Sequence, residues 1–413
     1  MRKVVQAQPA PLWRNRDYLL LWSGQIISSV GTQVSQLAFP LLVLTLSHSA
    51  AQAGFVGALR VLPYLIFSLP AGTLIDRWDR KRVMILCDAA RALSLASVPF
   101  AFAFGRLSVA QLYVVSLLEG TFFVFCDIAE VSCLPRVVAA GQLPTAVAQN
   151  QATQGITGLL GPPLGGLLYG ASRMLPFVTD ALSYLVSVLS LSCIRVKFQQ
   201  ERTTAPRQLY REMAEGLTWL WHQPLIRFMA MLSCGINFII AGVSLIVIVL
   251  AQHQHASSLI IGLIFAGGGI GGILGSLLAP FLQKRLSFGQ AIISLSWLLV
   301  LLWPLYVIAP NLVVLGTITA AIYLLGPIYN VVNVSYRLAL IPDAFQGRAN
   351  SAIRMISFAS QPLGLAATGM LIQSIGAVAT VLAWTAVLVF VAGAATVNPH
   401  VRHARPLAEV HQA

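Results

Sequence analysis

Charge is what this sequence has least of. Only 9% of its 413 residues are Asp, Glu, Lys or Arg, and just 13 of those are acids. A soluble domain carries roughly 25% charged residues, so a water-soluble enzyme and a disordered chain are both excluded. Cysteine is sparse, with five residues (Cys87, Cys126, Cys133, Cys193, Cys234) and no CxxC spacing. Buried, inert thiols are expected, neither disulfides nor a metal site. His253 and His255 form an HxH without a third ligand, so no metal is expected there either. No GxxxxGK[ST] loop occurs, which removes a Walker-type nucleotide hydrolase. No small-residue cleavage site follows a short apolar core, so no removable signal peptide is expected.

What is abundant is apolar length. Hydrophobic residues make up 57% of the chain, and mean hydropathy is +0.79. A membrane span needs about 20 apolar residues. Twelve candidate runs fall at 19–46, 53–74, 83–104, 109–131, 145–169 and 175–194, then 225–251, 258–282, 289–308, 312–335, 350–372 and 377–397. The fold class expected is all-α, a polytopic membrane protein of twelve transmembrane helices in two six-helix halves. The halves are 1–195 and 225–400, with a cytoplasmic linker at 196–224 and a cytoplasmic tail at 401–413.

The net charge of +13 is explained by where the bases stand. With the N-terminus inside, 22 of the 26 Lys and Arg residues fall on the cytoplasmic side. Only Arg106 and Arg173 fall outside, and Arg60 and Arg91 lie within spans. Bases remain cytoplasmic during insertion, so both termini are expected inside a bacterial inner membrane. The basic pI is then a mark of topology, with anionic lipid as a partner and no nucleic acid. Within the linker, Leu209, Met213, Leu217 and Leu220 recur at helical spacing, the pattern of an amphipathic helix on the inner surface.

The halves show faint self-similarity. An offset of 200 lays Asn150 on Asn350 and Pro162 on Pro362; an offset of 208 lays Gly54 on Gly262 and Asp76-Arg77 on Lys284-Arg285. Parallel repeats around a central site are one transporter plan.

The loop after span two reads Gly72-Thr-Leu-Ile-Asp76-Arg77-Trp78-Asp79-Arg80-Lys81-Arg82. It resembles the GxxxDRxGRR loop of the major facilitator superfamily, in the expected place, with Asp79 where that pattern has glycine. With Asp88 and Arg91 following, it looks like the branch of enterobactin and macrolide exporters. The resemblance implies a cytoplasmic gate of Gly72, Asp76, Arg77 and Arg80. In it, Asp76 would meet the start of span eleven near Asn350, and Arg80 would reach Asp127 or Glu130 at the end of span four. Acids among the bases suit charge-assisted bonds between helices, whereas a topology signal needs no acid.

Span five carries Gly161-Pro162-Pro163-Leu-Gly165-Gly166. The glycines let another backbone approach and the prolines favour a bend. The run resembles the GPxxGG motif of superfamily antiporters, which implies export against a proton gradient; ordinary tight packing is the plainer alternative.

Ionisable groups inside a bilayer are costly and are functional candidates by default. Glu119 lies near the middle of span four, on a face that continues through Phe123, Asp127 and Glu130. Arg60 stands as its partner or as a separate structural charge. Asp180 lies nearer the outer surface, where water would reach it, and Asp88 and Arg91 are spaced to pair locally. Proton coupling is therefore expected at Glu119, with Arg60 and Asp180 as further candidates. A permanent Glu119–Arg60 bridge is the alternative.

Polar stripes mark four spans. They are Gln25, Ser29, Thr32 and Gln36 in span one, the acidic face in span four, Ser233, Asn237 and Ser244 in span seven, and Tyr323, Asn330 and Asn333 in span ten. By resemblance, spans one, four, seven and ten line the superfamily cavity. The expectation is a secondary transporter exporting an amphipathic drug, macrolide or siderophore by proton antiport. It would use no cofactor beyond the proton gradient and work as a monomer. A proton-coupled nutrient importer is the alternative within the class. A membrane-embedded enzyme is disfavoured because its acids would cluster at one face, and a channel because no charged ring is evident.

Overall fold

The computed structural model describes residues 12–196, 198, 209–341, 346–402 and 404. Among them the chain is helical throughout, with no strand. The helices are α1 (Arg16–Ser47), α2 (Ala50–Arg77), α3 (Arg80–Ala103), α4 (Val109–Val137), α5 (Leu143–Ala171) and α6 (Leu175–Cys193). There follow α7 (Leu209–His222), α8 (Pro224–Ile240), α9 (Val243–His253), α10 (Ser258–Arg285), α11 (Phe288–Leu302), α12 (Leu312–Leu340), α13 (Gln346–Val397) and α14 (Pro399–Arg402).

Ten helical stretches are long and apolar enough to cross a membrane. Three places show how the apolar runs become helices. α8 and α9 form one 30-residue stretch, Pro224–His253, interrupted at Gly242, where an added Cβ would stand 2.0 Å from the Thr368 hydroxyl. α13 has 52 residues and would measure about 78 Å if straight, far beyond a hydrocarbon core of about 30 Å. It turns at Gly376, whose φ of 84° favours glycine. α5, at 29 residues, is absent from the ten because its glutamines and its many glycines and prolines between Gly155 and Gly170 dilute its apolar run.

Helix starts are set locally. Asn15, Ser49, Asp79, Ser108, Ser257, Ser287 and Asn311 each accept a bond from the first turn they precede, satisfying amide groups that have no partner in the helix. The outer faces carry exposed Leu86, Leu93, Phe100, Leu277, Val313 and Phe390, an apolar surface that only lipid can cover.

Packing follows a definite order. α1 lies against α6 and α5, α3 against α6 and α4, and α2 against α4. α10 packs on α12, and α13 on α8 and α11. The two sets meet where α2 crosses α13 and where α5 crosses α10. α7 packs with Leu220 buried beside Ala349 and Ile353 at the start of α13.

Candidate functional site

A buried ionic cluster lies in the wall between α3, α4 and α6. Asp88 and Arg91 are one turn apart on α3 and both are buried, with Arg91 Nη1 3.7 Å from Asp88 Oδ1. Arg91 Nε stands 3.4 Å from Glu119 Oε2 on α4. Its Nη2 donates to the Tyr184 hydroxyl on α6 and to Thr32 Oγ1 on α1 at 3.4 Å. Tyr184 donates in turn to Glu119 Oε2 at 3.3 Å, and Ser187 Oγ to Asp88 Oδ2 at 2.7 Å. Four helices thus converge on one guanidinium, whose carbon lies 4.0 Å from the Tyr184 ring centroid. A planar, permanently charged fork with five donors can serve so many acceptors; a lysine cannot.

The cation beside Glu119 is therefore Arg91; of the two readings the sequence leaves open for Arg60, the pairing with Glu119 is not the one seen. Gly120 is the reason. A Cβ there would sit 2.0 Å from the Arg60 carbonyl oxygen, so α2 meets α4 through its backbone at that level. The Arg60 side chain stacks on α1 instead, its guanidinium carbon 5.3 Å from the Phe39 ring centroid. Asp180 also departs from expectation, being fully buried rather than within reach of water. Gly31 allows α6 to press onto α1, for a Cβ there would lie 2.6 Å from Asp180 Oδ1. Ser183 Oγ is 3.2 Å from that same oxygen, and Asp180 Oδ2 has no partner among the described residues.

At the end of the bundle holding the loop after α2, Asp79 accepts from Lys81 N at 3.0 Å and Arg82 N at 3.3 Å. The departure from glycine in the family pattern thus supplies the N-cap of α3. Lys81 Nζ donates to the Ser192 and Ile194 carbonyls at 3.2 and 2.7 Å, placing a cation at the negative end of α6. Arg80 Nη1 reaches the end of α4 and donates to the Ser132 carbonyl at 2.9 Å. Arg77 is exposed, and nothing stands within 4 Å of where a Gly72 Cβ would be. The Asp76 side chain lies outside what is described. Asp127 and Glu130 line a cavity.

Three cavities lie among the helices, and the first two share part of their walls. The first, about 550 Å³, is lined by Gln25, Thr32, Gln36, Arg91, Phe123, Asp127 and Glu130. The second, about 520 Å³, shares Gln33, Gln36, Gln151 and Gln154 with it and adds Ser244, Pro162 and Tyr323. The third, about 620 Å³, is lined by Asn237, Tyr329, Asn330, Asn333, Arg337 and Arg354. The polar residues of the stripes in spans one, seven and ten lie on these walls, as do Phe123, Asp127 and Glu130 of span four, but Glu119 does not. Gln33, Gln151, Gln154, Tyr329, Arg337 and Arg354 stand there too and were not singled out from sequence. Span five offered only its glycines as a signal, and the two arginines read as topology charges.

The walls of the first and third cavities reach the basic end, at Glu130 and Leu134 and at Arg337. At the opposite end α5 and α10 touch through backbone: a Cβ on Gly166 would lie 2.2 Å from the Ser258 oxygen, and one on Gly262 2.4 Å from the Pro162 oxygen. Gly161 and Gly165 press the same helix onto α1, with Gln33 Cβ 2.3 Å and the Val34 oxygen 2.8 Å from their added Cβ positions. Toward the basic end, Gly155 of α5 and Gly272 of α10 both face open space. α2 and α13 also touch at the opposite end, where Ala50 N donates to Gln373 Oε1 at 2.9 Å.

A family model described as transmembrane secretion effector matches residues 7–411. The chain belongs to that family, within the major facilitator superfamily. It is a transporter and not an enzyme. Over 385 residues it is 29% identical to the multidrug efflux pump Tap of Mycobacterium tuberculosis, covering 90% of each chain. It is 25% identical over 210 residues to macrolide efflux protein A of Streptococcus pyogenes, covering 50% of this chain and 52% of that one. Among solved structures, the nucleoside transporter NupG superimposes with a TM-score of 0.78 at 14% identity, over 95% of this chain and all of that one. That likeness speaks to the fold.

Proposed function

We propose that this transporter exports an amphipathic organic compound in exchange for protons, by alternating access of the central cavity. The ten apolar stretches become twelve crossings once α13 is divided at Gly376 and α5 is added. The packing order supports a division into two halves, α1–α6 and α8–α13, joined by the α2–α13 and α5–α10 crossings. The positive-inside bias assigns the basic end to the cytoplasm of a bacterial cell, with both termini there, and the first and third cavities then reach the cytoplasmic side.

The observation that carries the coupling is the Arg91 cluster. Two carboxylates, Asp88 and Glu119, share one guanidinium in a buried site, so the formal charge is minus one and a single proton neutralises it. Arg91 and Thr32 belong both to this cluster and to the cavity wall. Substrate in the cavity and a proton in the cluster therefore act on the same side chains, which is what exchange requires. Each proton entering across 100 mV supplies about 2.3 kcal/mol. The GPxxGG-like packing of Gly161, Pro162, Gly165 and Gly166 supports closure at the outer end, and the loop around Asp76 and Arg80 supports closure at the inner one.

The test is accumulation of a dye and macrolide panel in efflux-deficient bacteria, with and without an uncoupler. Wild type is expected to lower accumulation, with the effect lost in Glu119→Gln and on uncoupling. Full efflux by Glu119→Gln with the protein present in the membrane would remove that residue from the mechanism.

A further inference from the structure

Arg337 and Arg354 have a place in the sequence as topology charges, but a topology charge needs only to stand in water beside the membrane. Both also line the 620 Å³ cavity, Arg337 half-buried and Arg354 exposed. Arg354 is in the third turn of α13, donating through Nη2 to the Tyr64 hydroxyl of α2 at 3.1 Å. Arg337 is in the last turn of α12, and its Nε is buried with no hydrogen-bond partner among the described residues. The two guanidiniums lie within electrostatic reach of each other. No Asp or Glu among the described residues lines this cavity, whose remaining wall mixes amides, serines, Tyr329, Phe358 and aliphatic side chains such as Leu299. Asp127 and Glu130 line the first cavity, and Asp127 stands within electrostatic reach of Arg354.

Two like charges facing one cavity repel, and the Arg337 Nε lacks an acceptor among the described residues; an arriving anion relieves both. Guanidinium forks match the paired oxygens of carboxylate, sulfonate and phosphate. We propose that Arg337 and Arg354 form an anion-binding subsite, so that the transported compound is an amphiphile bearing a carboxylate, sulfonate or phosphate group. Its apolar body lies along Ile236, Leu295 and Ile322, and where it is a zwitterion its cation faces Asp127. The inference rests on the cavity being the transport path, but not on the direction of transport or on proton coupling.

The test is equilibrium binding to the purified full-length protein in detergent, read by fluorescence anisotropy with two matched probe pairs. One is rhodamine B and its ethyl ester, the other pyrenebutyrate and its methyl ester; each ester keeps the body and loses the anion. Wild type is expected to bind at least one acid tenfold or more tightly than its ester. In Arg337→Gln/Arg354→Gln that preference should fall below twofold, and Arg354→Lys should retain part of it. Arg285→Gln, outside the cavity, should leave it unchanged. Melting temperatures identify any variant that has lost its fold, and the Lys variant then carries the comparison. Equal binding of acid and ester in both pairs, binding by neither acid, or an acid preference that survives in the folded double variant would overturn the subsite. An absence of efflux from cells alongside an intact acid preference would instead defeat the export reading alone.

Discussion

Arg91 on α3 holds Glu119 on α4 at 3.4 Å, with the carboxylate wholly removed from solvent. The same guanidinium lies 3.7 Å from Asp88 and bonds Tyr184 and Thr32. Removing it leaves two buried carboxylates facing one another without a cation. Arg91→Gln is expected to cost about 3–5 kcal/mol, as for other broken buried pairs, seen as a large fall in melting temperature of the detergent-purified protein. Pairing Arg91→Gln with Glu119→Gln should recover part of that loss, because the second change removes one stranded charge. A double variant no more stable than the single would contradict the assignment of the pair.

Asp79 occupies a family glycine position and caps α3 through the amides of Lys81 and Arg82. Asp79→Ala should lower stability by about 1 kcal/mol, and Asp79→Gly or Asp79→Asn by only a few tenths. Thermal unfolding of the three variants side by side checks this; equal losses in all three would mean the cap carries no weight.

Gly166 lets α5 touch α10 at the end away from the basic loops, the nearest atom to an added Cβ being the Ser258 carbonyl at 2.2 Å. That atom is backbone and cannot swing aside. Gly166→Ala is expected to penalise the form with this end closed by about 1–3 kcal/mol, shifting the balance of states by roughly 5- to 150-fold. Spin labels on α5 and α10 near that end should report a longer distance in the variant. An unchanged distance distribution would show that the contact does not govern closure.

The sequence carried the spans and the polar stripes, because apolar length and helical spacing are local properties. It did not carry which cation meets Glu119. That depends on the rotation of α2, α3 and α4 about their axes, and such helices are apolar toward lipid and toward each other alike, so the pattern leaves their phase open. Arg60 and Arg91 both lie within spans, and spacing alone does not choose between them; Gly120, by admitting the α2 backbone, turns Arg60 away. Asp180 was misplaced for a similar reason, since only the fit of α6 on Gly31 buries it. Arg354 was counted as cytoplasmic because charge alone cannot distinguish a base beside the membrane from one that also lines a cavity reaching the same side.

Everted membrane vesicles carrying the protein test the central claim most directly. With the cytoplasmic face outward, an imposed acid interior should drive uptake of a labelled macrolide or of rhodamine B by wild type. Collapsing the gradient or substituting Glu119→Gln should abolish it. Uptake that is indifferent to the pH gradient, or that runs equally well in Glu119→Gln, would contradict proton-driven export through the Arg91 cluster.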